Sequence, residues 1–386
     1  MSWRLALACL LAGWLGGTLA SAAPAPPPSP PGVRWRLPVP GWGEPAADDS
    51  AAYFLTRTHE VLSIDGATGT IRWRSATGGT GDVPTGTQVR LTKARVLVGD
   101  GGIVAFDRVS GRRTWRFDAP DGDDAGVFLG AADADMVVAG SPAGRVYAID
   151  AVSGALRWLQ DVADGQRRVA FPPVQAGGSI VASFTSFDGP LSGGLVGFDR
   201  AGRRRWTHRF DDGAGAAGPP VVVGGGVVVA RTDGRIEAIA SGTGRRLWGL
   251  ASEAPSPAGA HGRDIRALAA EAGILVVTSL RGPVRAFDVP RRRQRWAYAD
   301  NPTDAVALRV RAFGERLYLP YSDGSLVALD LRTGRECWRA ASRHSIDWPP
   351  AVTAAAVFAS GADALWALQS NPVEPMARPE LVSDSR

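Results

Sequence analysis

Ala148-Ile149-Asp150-Ala151-Val152-Ser153-Gly154-Ala155-Leu156-Arg157-Trp158 reads as one structural instruction. The residues leading into it, Val146-Tyr147-Ala148-Ile149, alternate with the period of a β-strand. Asp150-x-x-Ser-Gly is turn chemistry, because an Asp carboxylate accepts from backbone N–H groups just ahead of it and Gly tolerates positive φ. The stretch therefore predicts a β-hairpin whose second strand carries a tryptophan.

The pattern recurs along the chain. Asp107…Gly111…Trp115, Asp65…Gly69…Trp73 and Asp330…Gly334…Trp338 repeat it with the tryptophan eight residues past the Asp. Asp199…Gly202…Trp206 is one residue short, Ala240…Gly244…Trp248 lacks the Asp, and Asp288…Trp296 has Arg292 where Gly belongs. Successive tryptophans are 42, 43, 48, 42, 48 and 42 residues apart. That period is close to the ~40–45 residues of a four-stranded propeller blade. Upstream of each hairpin lies another apolar strand, such as Val96-Leu97-Val98 or Val227-Val228-Val229. A first strand precedes that one, often after Pro-Pro as at Pro172-Pro173 and Pro219-Pro220. Each unit thus reads as four antiparallel strands, A to D.

At the C-terminal end, Val357-Phe358-Ala359 and Leu365-Trp366-Ala367-Leu368 supply strands B and C, but Asn371-Pro372 ends the pattern before any strand D. At the other end, Val33-Arg34-Trp35-Arg36-Leu37 resembles an isolated strand D, with Trp35 38 residues before Trp73. The simplest closure has this N-terminal strand complete the last blade, which pairs two otherwise open strand edges. The expected fold is an all-β, eight-bladed propeller of four-stranded antiparallel blades, with seven blades as the alternative. One ring over residues 33–370 absorbs the length as a single domain, followed by a flexible tail at 371–386.

Ala105-Phe-Asp107-Arg-Val-Ser-Gly111-Arg-Arg-Thr-Trp115 and its counterparts at 148–158 and 328–338 resemble the tryptophan-docking motif of pyrroloquinoline-quinone (PQQ)-like propellers. Within that family, an exported propeller of this size without extra domains is most similar to the BamB-like subunit of the outer-membrane β-barrel assembly machinery. The resemblance implies that Trp73, Trp115, Trp158, Trp206, Trp248, Trp296 and Trp338 pack between neighbouring blades and are structural.

Composition agrees with a folded β protein: 45 % of residues are hydrophobic, 21 % are charged, and 48 Gly and 28 Pro disfavour long helices. The net charge of +5 is almost wholly arginine spread along the chain, Lys93 being the only lysine. No basic stripe or reading element marks a nucleic-acid module. Residues 1–22 carry Arg4, an apolar run and Ala20-Ser21-Ala22, the pattern of a cleaved export signal. Cys9 lies within the apolar run rather than at its end, where a lipoprotein signal places its acceptor. Residues 23–32 are Pro-rich and read as an extended spacer. After cleavage Cys337 is the only cysteine, expected to be a buried packing thiol, so no intrachain disulfide can form. The mature chain is expected in the periplasm or outside the cell, not spanning a membrane, and monomeric on its own.

Chemistry-bearing motifs are sparse. Gly213-Ala-Gly215-Ala-Ala-Gly218 matches a dinucleotide fingerprint, yet Pro219-Pro220 and a valine run follow where a helix is required. The acidic cluster Asp118, Asp121, Asp123 and Asp124 lacks the closing Glu of a calcium loop and reads as a solvated turn. His59, His208, His261 and His344 are scattered. PQQ dehydrogenases of the family combine the propeller with a longer chain, a vicinal Cys-Cys pair and Ca²⁺ ligands. The Cys-Cys pair is missing here, so neither PQQ nor Ca²⁺ is expected and no catalytic residue is nominated.

Surface remains. The long intervals come from Ser186 to Gly194, read as a B-to-C loop, and Ala254 to Asp264, read as a D-to-A loop, which share one face of a propeller. They bring Asp188 and His261 to that face. Aligning the units places Arg266 beside Arg309 and Arg90 level with Arg311, near the channel, either as a cationic funnel or as isolated solvated arginines. The expected function is a non-catalytic exported scaffold binding a protein partner in the cell envelope, which the resemblance connects to outer-membrane protein assembly. A PQQ-dependent dehydrogenase and a small-ligand or glycan sensor are the rival readings.

Overall fold

The computed structural model describes residues 31–79, 87–120, 126–162, 168–210, 213–251, 265–279, 282–299, 309–342, 344–346 and 348–370. The export signal, most of the spacer, Asp121, Asp123, Asp124, His261, the whole Ala254–Asp264 segment and the tail fall outside them. Every described element is a β-strand or an isolated bridge, so no described helix is available to cross a membrane.

Eight antiparallel sheets form an eight-bladed propeller. Blade 1 comprises Ala46–Ala47, Ala51–Leu55, Glu60–Asp65 and Ile71–Ala76; blade 2 comprises Val89–Leu91, Arg95–Asp100, Gly102–Asp107 and Arg113–Phe117. Blade 3 runs from Phe128–Ala132 to Leu156–Asp161, and blade 4 from Arg168–Ala170 to Arg204–Arg209. Blades 5, 6 and 7 end on their outer strands Arg246–Ala251, Arg293–Tyr298 and Glu336–Ala341. Blade 8 takes three strands from the C-terminal end, Ala351–Val352, Ala356–Ser360 and Leu365–Gln369, and its fourth, Val33–Leu37, from the N-terminal end. Trp35 pairs with Ala367, and Leu37 with Leu365. Ahead of this strand Pro31 is buried, and the Gly32 carbonyl accepts from Gln369 N–H at 2.9 Å.

Strands B and C are apolar on both faces because each blade is covered by two neighbours. One core layer, for example, joins Leu97, Ile103 and Ala105 of blade 2 to Leu129, Val137 and Tyr147 of blade 3. The hairpins work as their sequence requires. Asp150 Oδ1 accepts from the N–H groups of Val152 and Ser153, and Gly154 N–H donates to the Asp150 carbonyl at 2.9 Å. Arg157, then the Ser153 groups, hold the Asp150 carboxyl well below the usual carboxylate range.

Trp73, Trp115, Trp158, Trp206 and Trp296 each lean on the hairpin glycine of the following blade. Gly111 sits at φ +71, and a Cβ there would lie 2.5 Å from the Trp73 ring; Gly154 stands in the same relation to Trp115. The indole N–H completes the joint: Trp73 donates to the Arg108 carbonyl at 3.2 Å and Trp115 to that of Ala151 at 3.2 Å. Trp35 does the same from blade 8, donating to Gly66 of blade 1 at 3.1 Å. Arg292 adopts φ 53 at the position its counterparts fill with Gly, and Trp248 is only half-buried. Trp338 is the exception at the other extreme. Blade 8 follows it without a hairpin of this kind, and the ring is fully buried against Tyr318 with its N–H unpartnered among the described residues.

Ser186 to Gly194 joins strands B and C of blade 4: Ser179–Ser186 pairs with Ser192–Phe198 out to Ser186↔Ser192, so both ends of the segment are strand and 187–191 form the turn that carries Asp188. Arg168–Ala170 then pairs with the extension, and Phe171-Pro172-Pro173 breaks this innermost strand before Val174–Ala176 resumes it. Gly193 and Gly194 disguise the strand as loop, but they are required by crowding: a Cβ at Gly193 would lie 2.5 Å from the Phe184 carbonyl. The Gly213–Gly218 segment enters strand Val221–Val223 and starts no helix; Gly215 packs against Thr185.

Candidate functional site

The D-to-A segments converge where the innermost strands meet at one mouth of the channel. Gly41-Trp42-Gly43-Glu44 enters blade 1 there, bridged to blade 2 by Glu44 N–H donating to the Thr87 carbonyl at 3.1 Å and Val89 N–H donating back to Glu44 at 2.8 Å. Gly43 makes the approach feasible, with φ +86 and Thr87 2.8 Å from where a Cβ would stand.

Glu44 is buried and meets arginines from two directions. Arg90, on the innermost strand of blade 2, approaches it at 3.1 Å, and Arg311, on that of blade 7, forms a close ion pair with it. Arg311 reaches past blade 8, whose innermost strand is only two residues long, Ala351–Val352. Arg309 adds a third positive charge near the carboxylate and stacks over Trp348 at 4.0 Å. Trp348 in turn meets Trp42 edge-on at 6.4 Å, and Arg57 caps the Trp42 ring at 4.4 Å. Burial pushes the Glu44 carboxyl up, but the pull of Arg90 and Arg311, reinforced by Arg309, outweighs it and holds the pKa at about 2.

Arg90, Arg309 and Arg311 are therefore gathered into one half-buried cluster, not scattered as isolated solvated arginines. Burial of the carboxylate holds them, since a buried charge needs a partner. The backbone of Arg266 lies in strand Ile265–Glu271, while its side chain is outside the described structure. Glu44 is the residue that reading the sequence missed. Its signal was local: an acidic residue following Gly-Trp-Gly in a segment that must pass between blades. Four buried polar atoms around it lack hydrogen-bond partners among the described residues: Trp42 Nε1, Thr87 Oγ1, Gln88 Oε1 and Arg311 Nε. Three guanidinium groups around one carboxylate suit an incoming anion, and they repel a divalent cation. The site thus does not fit Ca²⁺ held beside a quinone.

Other titratable groups are tied into the framework. His59 bonds Asp100 at 3.0 Å, and Asp100 also accepts from Thr77. His208 bonds Glu237 at 3.0 Å, which Arg231 meets from the other side at 2.6 Å. Cys337 is half-buried, and burial raises its thiol pKa. Asp118 pairs with Arg116 at 2.8 Å.

The family model described as outer membrane protein assembly factor BamB matches residues 28–189 and 192–369. The chain belongs to that family. Among curated proteins no sequence matches it significantly. BamB from Moraxella catarrhalis is similar in structure at 18 % identity and a TM-score of 0.62, over 89 % of this chain and 99 % of that one. The computationally designed protein Ika8 matches at 14 % identity and a TM-score of 0.68, over 87 % and 98 % of the two chains. Quinohemoprotein alcohol dehydrogenase ADHIIG from Pseudomonas putida HK5 matches at 14 % identity and a TM-score of 0.66, over 90 % of this chain and 78 % of that one. At these identities the structural likenesses establish the fold alone.

Proposed function

We propose that this BamB-family propeller is an exported, non-catalytic scaffold that binds a protein partner in the cell envelope, in the assembly of outer-membrane proteins. The export pattern at the N-terminus and the family membership support the compartment and the process. The observation that carries the binding reading is the mouth around Glu44. Arg90 and Arg311, from blades 2 and 7, share the one carboxylate of Glu44, beside tryptophans and buried polar atoms without partners among the described residues. A partner presenting acidic side chains on a loop would complete those interactions and displace little ordered structure.

The test uses Arg309→Glu, which reverses a charge without removing either direct ion pair of Glu44. Affinity capture from envelope extracts, quantified by mass spectrometry at low and high salt, should recover less partner with the variant. The deficit should shrink as salt rises, because exposed charges are screened over ~8 Å at physiological ionic strength. Equal recovery at low salt would move the binding surface elsewhere. Dye-linked alcohol oxidation after adding PQQ and Ca²⁺ would overturn the non-catalytic reading.

A further inference from the structure

On the opposite face, where the A-to-B turns and C-to-D hairpins emerge, a cleft of about 840 Å³ opens between blades 1 and 2 and runs under blade 3. Tyr53 and Trp73, with ring centroids 6.0 Å apart, form part of its wall. The hairpin tips Val109 and Val152 stand at its rim, 89 % and 66 % exposed. Two of its cations are already neutralised: Arg108 pairs with Asp48, and Arg72 with Asp65 at 2.8 Å. Two others are not fully so. Lys93 is exposed and has no ion-pair or hydrogen-bond partner among the described residues. Arg95 forms a looser ion pair with Asp107 at 3.6 Å, and its buried Nε has no hydrogen-bond partner among the described residues.

The repeat shows that the fold does not require these residues. Two positions before strand B, where blade 2 has Lys93, the other seven blades have Asp49, Ala134, Gly177, Gly224, Ala272, Gly314 and Ala354. A long cation is unnecessary to such a turn. Exposed β-branched tips are also unfavourable in a turn, where corresponding hairpins have Ala67, Gly242 and Arg332. A cation without a partner, a buried guanidinium N–H without an acceptor, and aromatic and aliphatic walls thus coincide in one concavity of ligand size.

We propose that this cleft binds a small amphipathic carboxylate, its anionic group on Lys93 and Arg95 and its flat apolar body between Trp73 and the hairpin valines. The site does not depend on the partner-binding reading, which concerns the other face.

Lys93 makes the test direct, because it is the only lysine in the chain. The probe is 2-naphthoate, with neutral 2-naphthamide as control, titrated calorimetrically into the mature protein. Naphthoate should bind and the amide should bind at least about tenfold more weakly. Lys93→Met, an exposed change that keeps the fold, should lose about tenfold in naphthoate affinity, the scale of one charge-assisted hydrogen bond. Val109→Ser should weaken both ligands. In parallel, acetylation of Lys93 by an amine-selective reagent should slow at saturating naphthoate, while acetylation of the N-terminal amine does not. No binding at millimolar naphthoate, equal binding by Lys93→Met, or unprotected Lys93 would each overturn the proposal.

Discussion

Gly101 and Gly111 offer a controlled measurement of what the docked tryptophan contributes. Both belong to blade 2 and both adopt positive φ, +74 and +71. A Cβ at Gly101 meets nothing within 4 Å, whereas at Gly111 it would lie 2.5 Å from Trp73 Cδ2 and 2.7 Å from Cε3. Gly101→Ala therefore imposes only the left-handed backbone cost, about 1–2 kcal/mol. Gly111→Ala imposes the same cost and also forces a rigid ring outward by about 1 Å to reach ordinary contact distance. That shift disrupts the indole bond to the Arg108 carbonyl and the stacking of Trp73 on Phe106 at 6.3 Å. A lost hydrogen bond adds about 1 kcal/mol and overpacking about 1–3 kcal/mol. The second variant should thus be about 2–4 kcal/mol less stable than the first. In thermal melts followed by tryptophan fluorescence, at about 2 °C per kcal/mol for a chain of this size, the gap is about 4–8 °C. Equal melting temperatures for the two variants would refute the idea that the hairpin glycine exists to receive the tryptophan.

Three further outcomes are expected. Glu44→Gln should destabilise by about 3 kcal/mol at neutral pH, since a carboxyl held at about 2 instead of 4.5 contributes on that scale. Its folded pKa is the lower one, so the contribution is complete above about 4.5 and fades as pH falls towards 2; urea midpoints of wild type and variant should converge over that window, and a constant gap would exclude the linkage. Deleting residues 33–38 should strip strand Val33–Leu37 from blade 8, expose the edge of Leu365–Gln369 and leave Gly69 without Trp35, giving aggregation or a much lower melting temperature. A truncated protein that melts like the parent would disprove closure by this strand. Cys337, half-buried with a raised thiol pKa, should react with iodoacetamide more slowly at pH 7 than a free cysteine peptide; reaction at the peptide rate would contradict its packing.

The ring was legible because blades 1 to 7 each write their own hairpin, and Asp-x-x-Ser/Thr-Gly with a tryptophan beyond it has few other geometric solutions. Even the irregular copy at Arg292 kept the positive φ of its glycine counterparts, since blade packing imposes the backbone there. Closure was readable from Trp35 for the same reason: a tryptophan on a lone strand needs a hairpin to dock on. The mouth of the channel was only half visible. Arg90 and Arg311 could be levelled by counting along the repeat, but Glu44 belongs to no repeat position and meets Arg311 across 267 residues of sequence. Pairs such as Arg108–Asp48 and Arg200–Asp133, which bind a hairpin to an earlier A-to-B turn, were likewise invisible to a reading that followed one blade at a time. The extent of the Ser186 to Gly194 loop was blurred differently: Gly193 and Gly194 are strand, and close packing of backbones selects the same glycines that a loop would use.

The strand shared between the two ends sets a clock on synthesis. Residue 35 cannot find its place beside residue 367 until nearly the whole sequence has been made, which at ~5–20 residues per second takes roughly half a minute. During that interval the nascent polypeptide has an unfinished circle with two open sheet edges, and so no complete native state in which to be trapped. Blades 1 to 7 are each written in one continuous stretch and can form in order, but the circle closes only when the strands of blade 8 receive the first one.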